Sequence, residues 1–140
     1  MRRFIALYLL PVLAVAGSAS AETWKAYSAL GANNLQWSYD ADYSHIDPAT
    51  KRVVVMQAIG KSGATPRVGP SGPGAPDGVG TVWALDCKAA DMIVLANYAP
   101  SKPLMIPSDW RSSSPKKIEK PDDKALLTAV CAGAAKLPVR

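Results

Sequence analysis

The chain has few of the residues from which catalytic and metal sites are most often built. It contains one histidine, His45, and two cysteines, Cys87 and Cys131, among its 140 residues. The two cysteines lie far apart in sequence, and one histidine cannot complete a cysteine/histidine ligand set with them. No serine or cysteine nucleophile can be tied to His45 from the sequence. We therefore expect a protein that is not an enzyme and that carries no metal and no cofactor.

Acidic residues form one other candidate site. Asp40 and Asp42 stand two positions apart in a predicted strand, so their carboxylates share a face at roughly 7 Å and could share a cation. A calcium ion takes about six or more oxygens, and only Asp47 and His45 lie nearby. A solvated strand face is the favoured interpretation, and a hydrolase using Asp40, Asp42 and His45 is the alternative.

Long apolar stretches are absent beyond the first residues, and those first residues are typical of a secretory signal. Residues 1–21 combine a positive start, an apolar run and a small-residue cleavage site at Ala19-Ser20-Ala21. A transmembrane anchor is the alternative, but the run is shorter than the roughly 20 residues that span a bilayer. We expect the exported protein to begin at Glu22, to have no membrane span, and to reside in the periplasm or outside the cell, including its surface.

The charge of the exported chain is mildly positive. Removal of residues 1–21 leaves 119 residues, enough for one domain, with 14 basic residues against 11 acidic ones and a net charge of +3. No basic helix with interleaved aromatic residues accompanies this charge, so no nucleic-acid partner is expected.

Basic residues concentrate in the polar stretch 111–120. Arg111, Lys116, Lys117 and Lys120, together with Trp110, form a candidate surface for an acidic partner. A solvated linker is the alternative for the lysines, and burial is the alternative for Trp110.

The residue pattern predicts a mainly β domain. Residues 35–44 alternate between apolar and polar types, as in a half-buried strand, and 52–59 is apolar at consecutive positions, as in a central strand covered on both faces. Glycine and proline make 60–80 a flexible irregular connection. Further strands are expected at 81–88, where Cys87 shares the core face with Trp83 and Leu85, at 92–98, and as a short edge strand at 104–106.

A helix is predicted to begin near Pro121, since proline suits a first turn and the following carboxylates complement the helix dipole. Leu127, Val130, Cys131 and Ala134 fall on one helical face, and Pro138 is expected to end the helix. Two cysteines in an exported protein permit one disulfide, which would join this helix to the sheet and stabilise the fold by roughly 4 kcal/mol. A free thiol pair and a metal site are the weaker alternatives.

Several short pieces of the chain also follow one another in a characteristic order. They are Trp24, Tyr39-Asp40, Ser44-His45-Ile46, the β-rich stretch 52–59, Asp86-Cys87, Trp110, and the helical Leu127-Thr128-Ala129-Val130-Cys131. In this order they resemble the surface-adhesin protein E-like family of small exported bacterial domains, over most of residues 22–140. The resemblance implies an antiparallel sheet backed by a C-terminal helix. It also implies a binding role, because the founding member is an adhesin that engages extracellular host proteins.

The expectation is thus an α+β fold: an antiparallel sheet of five to six strands with a C-terminal α-helix packed on it and one disulfide. The expected function is non-catalytic binding in the cell envelope, with an extracellular host protein or an envelope component as the protein partner. A second copy of the chain is a further candidate partner. The alternative is a periplasmic inhibitor of a wall-degrading enzyme, although inhibitors of basic lysozymes are usually acidic. The founding adhesin is a lipoprotein, whereas this chain has no cysteine near its cleavage site.

Overall fold

The computed structural model describes residues 23–63, 79–99, 102 and 104–140. The predicted signal, the start at Glu22 and the central part of the 60–80 connection lie outside the described residues. Seven strands and one α-helix are present in the described part of the chain. Their bounds are β1 Trp24–Ala26, β2 Leu35–Asp40, β3 His45–Ile46, β4 Val53–Lys61, β5 Val79–Asp86, β6 Asp91–Tyr98, β7 Lys116–Lys117 and α1 Pro121–Cys131.

The strands form one antiparallel sheet in the order β1-β2-β4-β5-β6-β7, with β3 added beside β4. The helix packs on this sheet and is tied to it by a disulfide between Cys87 and Cys131, so the predicted α+β fold is confirmed. The sheet has more strands than expected because it also contains β1, β3 and β7, which are only two or three residues long. Such short strands leave no alternating pattern in a sequence.

Strand β4 is the centre of the molecule, as its run of consecutive apolar residues predicted. Val53, Val55 and their neighbours on β5 face the helix, whereas Val54 and Met56 face the opposite side, and all four are 3% exposed or less. The sheet therefore carries a separate hydrophobic core on each side. We call the two sides the helix face and the tryptophan face, after α1 and Trp110.

On the helix face, α1 is anchored by Leu126 and Val130, which are 1% and 4% exposed. The predicted apolar stripe includes Val130 but begins at Leu127, which is only partly buried, and it omits Leu126. The helix also ends at Cys131, earlier than expected, because Gly133 leaves the helical conformation. Cys87 is exposed and not in the core, since β5 ends at Asp86 and the strand alternation stops there.

On the tryptophan face, the cover is a segment without strand structure. Trp110 is buried against this side of the sheet, and Leu104 packs beside it. The predicted edge strand at 104–106 is wrong: those residues pair with no strand in the described structure. Prolines at 103 and 107 bracket the segment and supply no N–H group for a strand ladder.

The predicted irregular connection at 60–80 is wrong at both ends. Strand β4 continues through Lys61, and β5 already begins at Val79. Gly80 is required inside β5, because a Cβ atom there would collide with the carbonyl oxygen of Gln57 and lie 2.5 Å from the hydroxyl of Tyr98. Glycine here permits close packing inside a strand and does not interrupt it.

Candidate functional site

The helix face of the sheet is covered over only part of its length. Helix α1 has 11 residues and so is roughly 16 Å long, whereas the nine residues of β4 extend over roughly 30 Å. The groove lies where α1 begins, and it has a volume of about 530 Å³. Its lining consists of three aromatic side chains, a buried amide and the first turn of the helix with the residue before it: Tyr27, Trp37, Trp83, Gln57, Lys120, Pro121, Asp122 and Asp123. We call it the open groove.

The sheet register places the two groove tryptophans on the same face. Trp37 is paired with Ile59, which is paired in turn with Val79 on the strand that also carries Trp83. Trp83 is then paired with Val94 on β6. Val79 and Val94 are 46% and 43% exposed on this face, on either side of the exposed polar pair that Thr81 and Asn97 form.

The floor of the open groove is a fixed polar network. The hydroxyl of Tyr27 donates to Gln57 Oε1 at 2.7 Å, and the hydroxyl of Tyr98 donates to the Gln57 carbonyl oxygen at 2.6 Å. Gln57 is 5% exposed. Burial raises the pKa of Tyr27, and the carboxylates of Asp123 and Asp122 raise it further. The phenol is therefore held as a neutral hydrogen-bond donor.

The rim of the groove is acidic on the helix side. Asp122 and Asp123 occupy the first turn of α1, directly after Lys120 and Pro121. Desolvation and the neighbouring Asp122 raise the pKa of the Asp123 carboxyl, whereas Lys120 lowers it. Within the described residues, neither carboxylate has an ion-pair partner within 4 Å.

Trp83 contributes an unsatisfied donor to this region. Its indole Nε1 is buried and has no hydrogen-bond acceptor in the described part of the chain. An unmatched buried donor costs about 1–3 kcal/mol, which is unusual in a small, otherwise well-paired sheet.

The members of the predicted basic surface lie on different elements of the fold. Lys116 and Lys117 form β7 at the edge of the sheet and are exposed, and the Lys117 ammonium donates to the Ala89 carbonyl oxygen at 2.7 Å. Lys120 lies on the rim of the open groove.

Trp110 and Arg111 serve the fold on the opposite side. The Arg111 guanidinium lies 4.7 Å from the centroid of the Trp110 ring, which is 6% exposed. The Nε of Arg111 donates a hydrogen bond to the Asp47 carboxylate at 3.1 Å. Asp47 also accepts hydrogen bonds from the backbone N–H and the hydroxyl of Thr50. The Arg111 hydrogen bond holds the pKa of the Asp47 carboxyl well below its usual range. With its ring buried, Trp110 has little surface to offer a partner.

The acidic residues near His45 also have local structural roles. Asp40 is 4% exposed and accepts hydrogen bonds from the backbone N–H groups of Thr23 and Asp42, so the expected solvated face is wrong for this residue. The alternating strand ends at Asp40, and residues 41–43 form the turn that Asp40 caps. His45 Nδ1 lies 2.8 Å from the Tyr43 carbonyl oxygen.

Asp86 caps the next turn along the sheet. Its carboxylate accepts from the backbone N–H groups of Lys88 and Ala89, both at 2.9 Å. These two hydrogen bonds, of which the one from Ala89 has the larger effect, hold the pKa of the Asp86 carboxyl below its usual value. Its side chain is thus a turn-forming acceptor.

No group of three or more histidine, cysteine, aspartate or glutamate side chains among the described residues is arranged to hold a metal ion. No described helix has the length and apolar character needed to cross a membrane.

No family model, no curated protein and no solved structure matches the chain. Its site must therefore be interpreted from its own residues. The open groove was not predicted from the sequence, because Trp83 is expected on a core face and Trp37 in a half-buried strand. Only the strand register and the start of α1 place both rings at an opening.

Proposed function

We propose that this chain is an exported, non-catalytic binding protein of the cell envelope, and that it binds a protein partner across the open groove and the exposed face of β5 and β6 beside it. The observation that carries the proposal is the opening on the helix face, which the partly exposed Trp37 and Trp83 line and beside which Val79 and Val94 are exposed. Aromatic and aliphatic side chains that are exposed together with polar groups are typical of a protein-interaction site.

Export is supported by the disulfide as well as by the signal-like sequence. A bond between Cys87 and Cys131 persists where the surroundings are oxidising, as in the periplasm and outside the cell. The resemblance to the surface-adhesin protein E-like family points to the same compartment and to binding. The bond also fixes α1 on the sheet and thereby fixes one wall of the open groove.

The open groove is a better docking site than the lysine edge. Tryptophan and tyrosine side chains bury 150–250 Å² each when a partner covers them, and they dominate the energetics of many interfaces. Exposed lysines such as Lys116 and Lys117 mainly raise association rates and contribute little to affinity. We therefore assign the main contact to the groove and at most a steering role to the lysines.

Site-specific photo-crosslinking tests this proposal without disturbing the fold. A photoreactive phenylalanine analogue replaces Val94, on the exposed face of β6 beside the groove, in the full chain expressed with its own export sequence. The matched control carries the analogue at Met105, which is 75% exposed but belongs to the segment crossing the tryptophan face. Both variants are irradiated with envelope fractions and with host extracellular proteins.

We expect a discrete crosslinked protein from position 94 and none from position 105. Excess unlabelled wild-type chain should suppress that crosslink in a concentration-dependent way. Equal labelling from both positions would indicate non-specific contact, and no labelling from position 94 would refute the proposed docking surface.

A further inference from the structure

We infer that the open groove receives a cationic side chain, arginine or lysine, from the partner protein. The inference rests on the proposed function for the nature of the partner, but the groove alone supplies its chemistry. It combines the partly buried rings of Trp37 and Trp83 with the carboxylates of Asp122 and Asp123. Aromatic faces and carboxylates together are the surroundings in which a guanidinium or ammonium group is bound best.

The aromatic contribution depends on accessible ring faces. Tryptophan attracts a cation more strongly than tyrosine or phenylalanine, provided that the charge lies within about 6 Å of the ring centroid. Trp37 and Trp83 line one groove together with Tyr27, so a side chain entering it meets aromatic surface from three residues. The aliphatic part of an arginine or lysine can lie along the same surface while its charge reaches the rim.

The electrostatic contribution comes from the first turn of α1. Asp122 and Asp123 place two negative charges at the rim against the single positive charge of Lys120. Asp123 is partly desolvated, which raises the pKa of its carboxyl, and it forms no ion pair within the described residues. A cation from the partner would supply one. The groove thus has an acidic rim on a chain that is basic as a whole.

An anion is the occupant that the start of a helix would otherwise suggest. The free N–H groups of a first helical turn favour negative charge, but here the turn already carries Asp122 and Asp123. A second anion would face both carboxylates at close range. A purely apolar segment would cover the rings but would bury the Asp123 carboxylate without a partner, which is costly. A cationic side chain satisfies both the rings and the carboxylates.

The tryptophan face of the same molecule already contains a cation that contacts both an aromatic ring and a carboxylate. On the tryptophan face, Arg111 lies over the Trp110 ring and donates to the carboxylate of Asp47. The ring, the cation and the carboxylate are all supplied by this chain. The open groove has the rings and the carboxylates, and we assign the cation to the partner.

The test uses the chain's four tryptophans as internal reporters. The full chain, purified after export and labelled with ¹⁵N, is titrated with acetylated tri-arginine amide while the indole N–H signals are followed by NMR. Each signal is assigned with a single Trp→Phe variant. The signals of Trp37 and Trp83 should shift, with saturation on the order of millimolar peptide, and those of Trp24 and Trp110 should stay in place. Tri-citrulline amide, which has the same shape without charge, should shift none of them.

Two double variants separate the groove from the lysine edge. Asp122→Asn with Asp123→Asn should weaken tri-arginine binding roughly tenfold, because both carboxylates become neutral. Lys116→Gln with Lys117→Gln should leave the affinity within about twofold. Raising the salt from about 50 to about 300 mM should weaken binding to the wild type and have less effect on the Asp variant.

Each contrary result overturns a defined part of the inference. Equal binding of the arginine and citrulline peptides would mean that the groove recognises the uncharged parts of the peptide and not its positive charge. Shifts of Trp37 and Trp83 on concentrating the protein alone would make a second copy of the chain the occupant. If tri-arginine fails to bind but position 94 still crosslinks one protein, the cation inference falls and the proposed function stands. If tri-arginine binds but no protein is crosslinked, the proposed function falls.

Discussion

The two faces of the sheet carry similar residues and put them to different use. On the tryptophan face, Trp110 is buried, and Arg111 joins it to the carboxylate of Asp47. On the helix face, Trp37 and Trp83 line an opening beside two carboxylates that have no ion-pair partner among the described residues. A tryptophan close to a carboxylate is therefore buried and part of the fold on the tryptophan face, whereas the same combination is accessible to a partner on the helix face.

The means of closure differ as well. The tryptophan face is covered in part by side chains from outside the strands, Trp110 and Leu104 among them. The helix face is covered by a helix that is held at its C-terminal end by the disulfide and that is shorter than β4. A rigid cover of insufficient length leaves a groove at its free end. This is how the fold exposes aromatic residues without losing its core.

The largest expected effect concerns the covalent attachment on the helix face. Replacing Cys87 and Cys131 with serine should lower the free energy of unfolding by roughly 4 kcal/mol, because the unfolded chain regains the freedom that a long closed loop removes. Urea denaturation of the double variant against wild type measures this loss. A loss below about 1 kcal/mol would mean that Leu126 and Val130 hold the helix without help.

The second prediction compares tryptophans across the sheet. Trp110→Ala should cost about 3 kcal/mol, since it removes a buried ring, whereas Trp37→Ala should cost about 1 kcal/mol because that ring is already partly exposed. Chemical denaturation of both variants gives the two values on one scale. A larger loss for Trp37→Ala would reverse the assignment of structural and binding tryptophans.

The third prediction concerns the ion pair that closes the tryptophan face. Asp47→Asn should cost about 1–2 kcal/mol at neutral pH, because the buried carboxylate accepts several hydrogen bonds and its partner Arg111 is partly solvated. The folded pKa of Asp47 is depressed, so this stabilisation is present above the unfolded value of about 4 and is lost as pH falls below it.

Melting temperatures measured from pH 7 to pH 2.5 test the third prediction. The difference between wild type and Asp47→Asn should be constant above about pH 5 and should shrink below about pH 4. Asp86, whose pKa is also lowered, loses its contribution in both proteins and so does not affect the difference. A constant difference down to pH 2.5 would mean that the charge of Asp47 is not the stabilising feature.

The fold was largely predictable because its main signals are local. The consecutive apolar residues of β4, the start of the helix at Pro121 and the pairing of two cysteines each depend on a short stretch of sequence or on a count. The binding of Arg111 to Asp47 could not be predicted, since the two residues are 64 positions apart. Nor could the open groove, because it depends on the register of β2, β4 and β5 and on the ratio of helix length to strand length.

The smallest expected effect is the most informative about the open groove. Asp123→Asn should change the free energy of unfolding by no more than about 0.5 kcal/mol. Its raised pKa means that the charged form is disfavoured in the folded chain, so the wild type loses a little stability as pH rises through the titration of Asp123. The variant has no charge there and should not show that loss, which thermal unfolding at pH 4 and pH 7 would measure.

The matched control for this variant is Asp47→Asn on the tryptophan face, where the same chemical change should cost clearly more. Asp123 is partly desolvated beside aromatic rings. If its carboxylate contributes nothing to stability, its role lies in binding and not in folding. If Asp123→Asn instead destabilised the fold as much as Asp47→Asn, both faces would carry structural carboxylates. Asp123 would then stabilise the fold as Asp47 does, and the helix face would no longer differ from the tryptophan face at the residue on which the cation site depends.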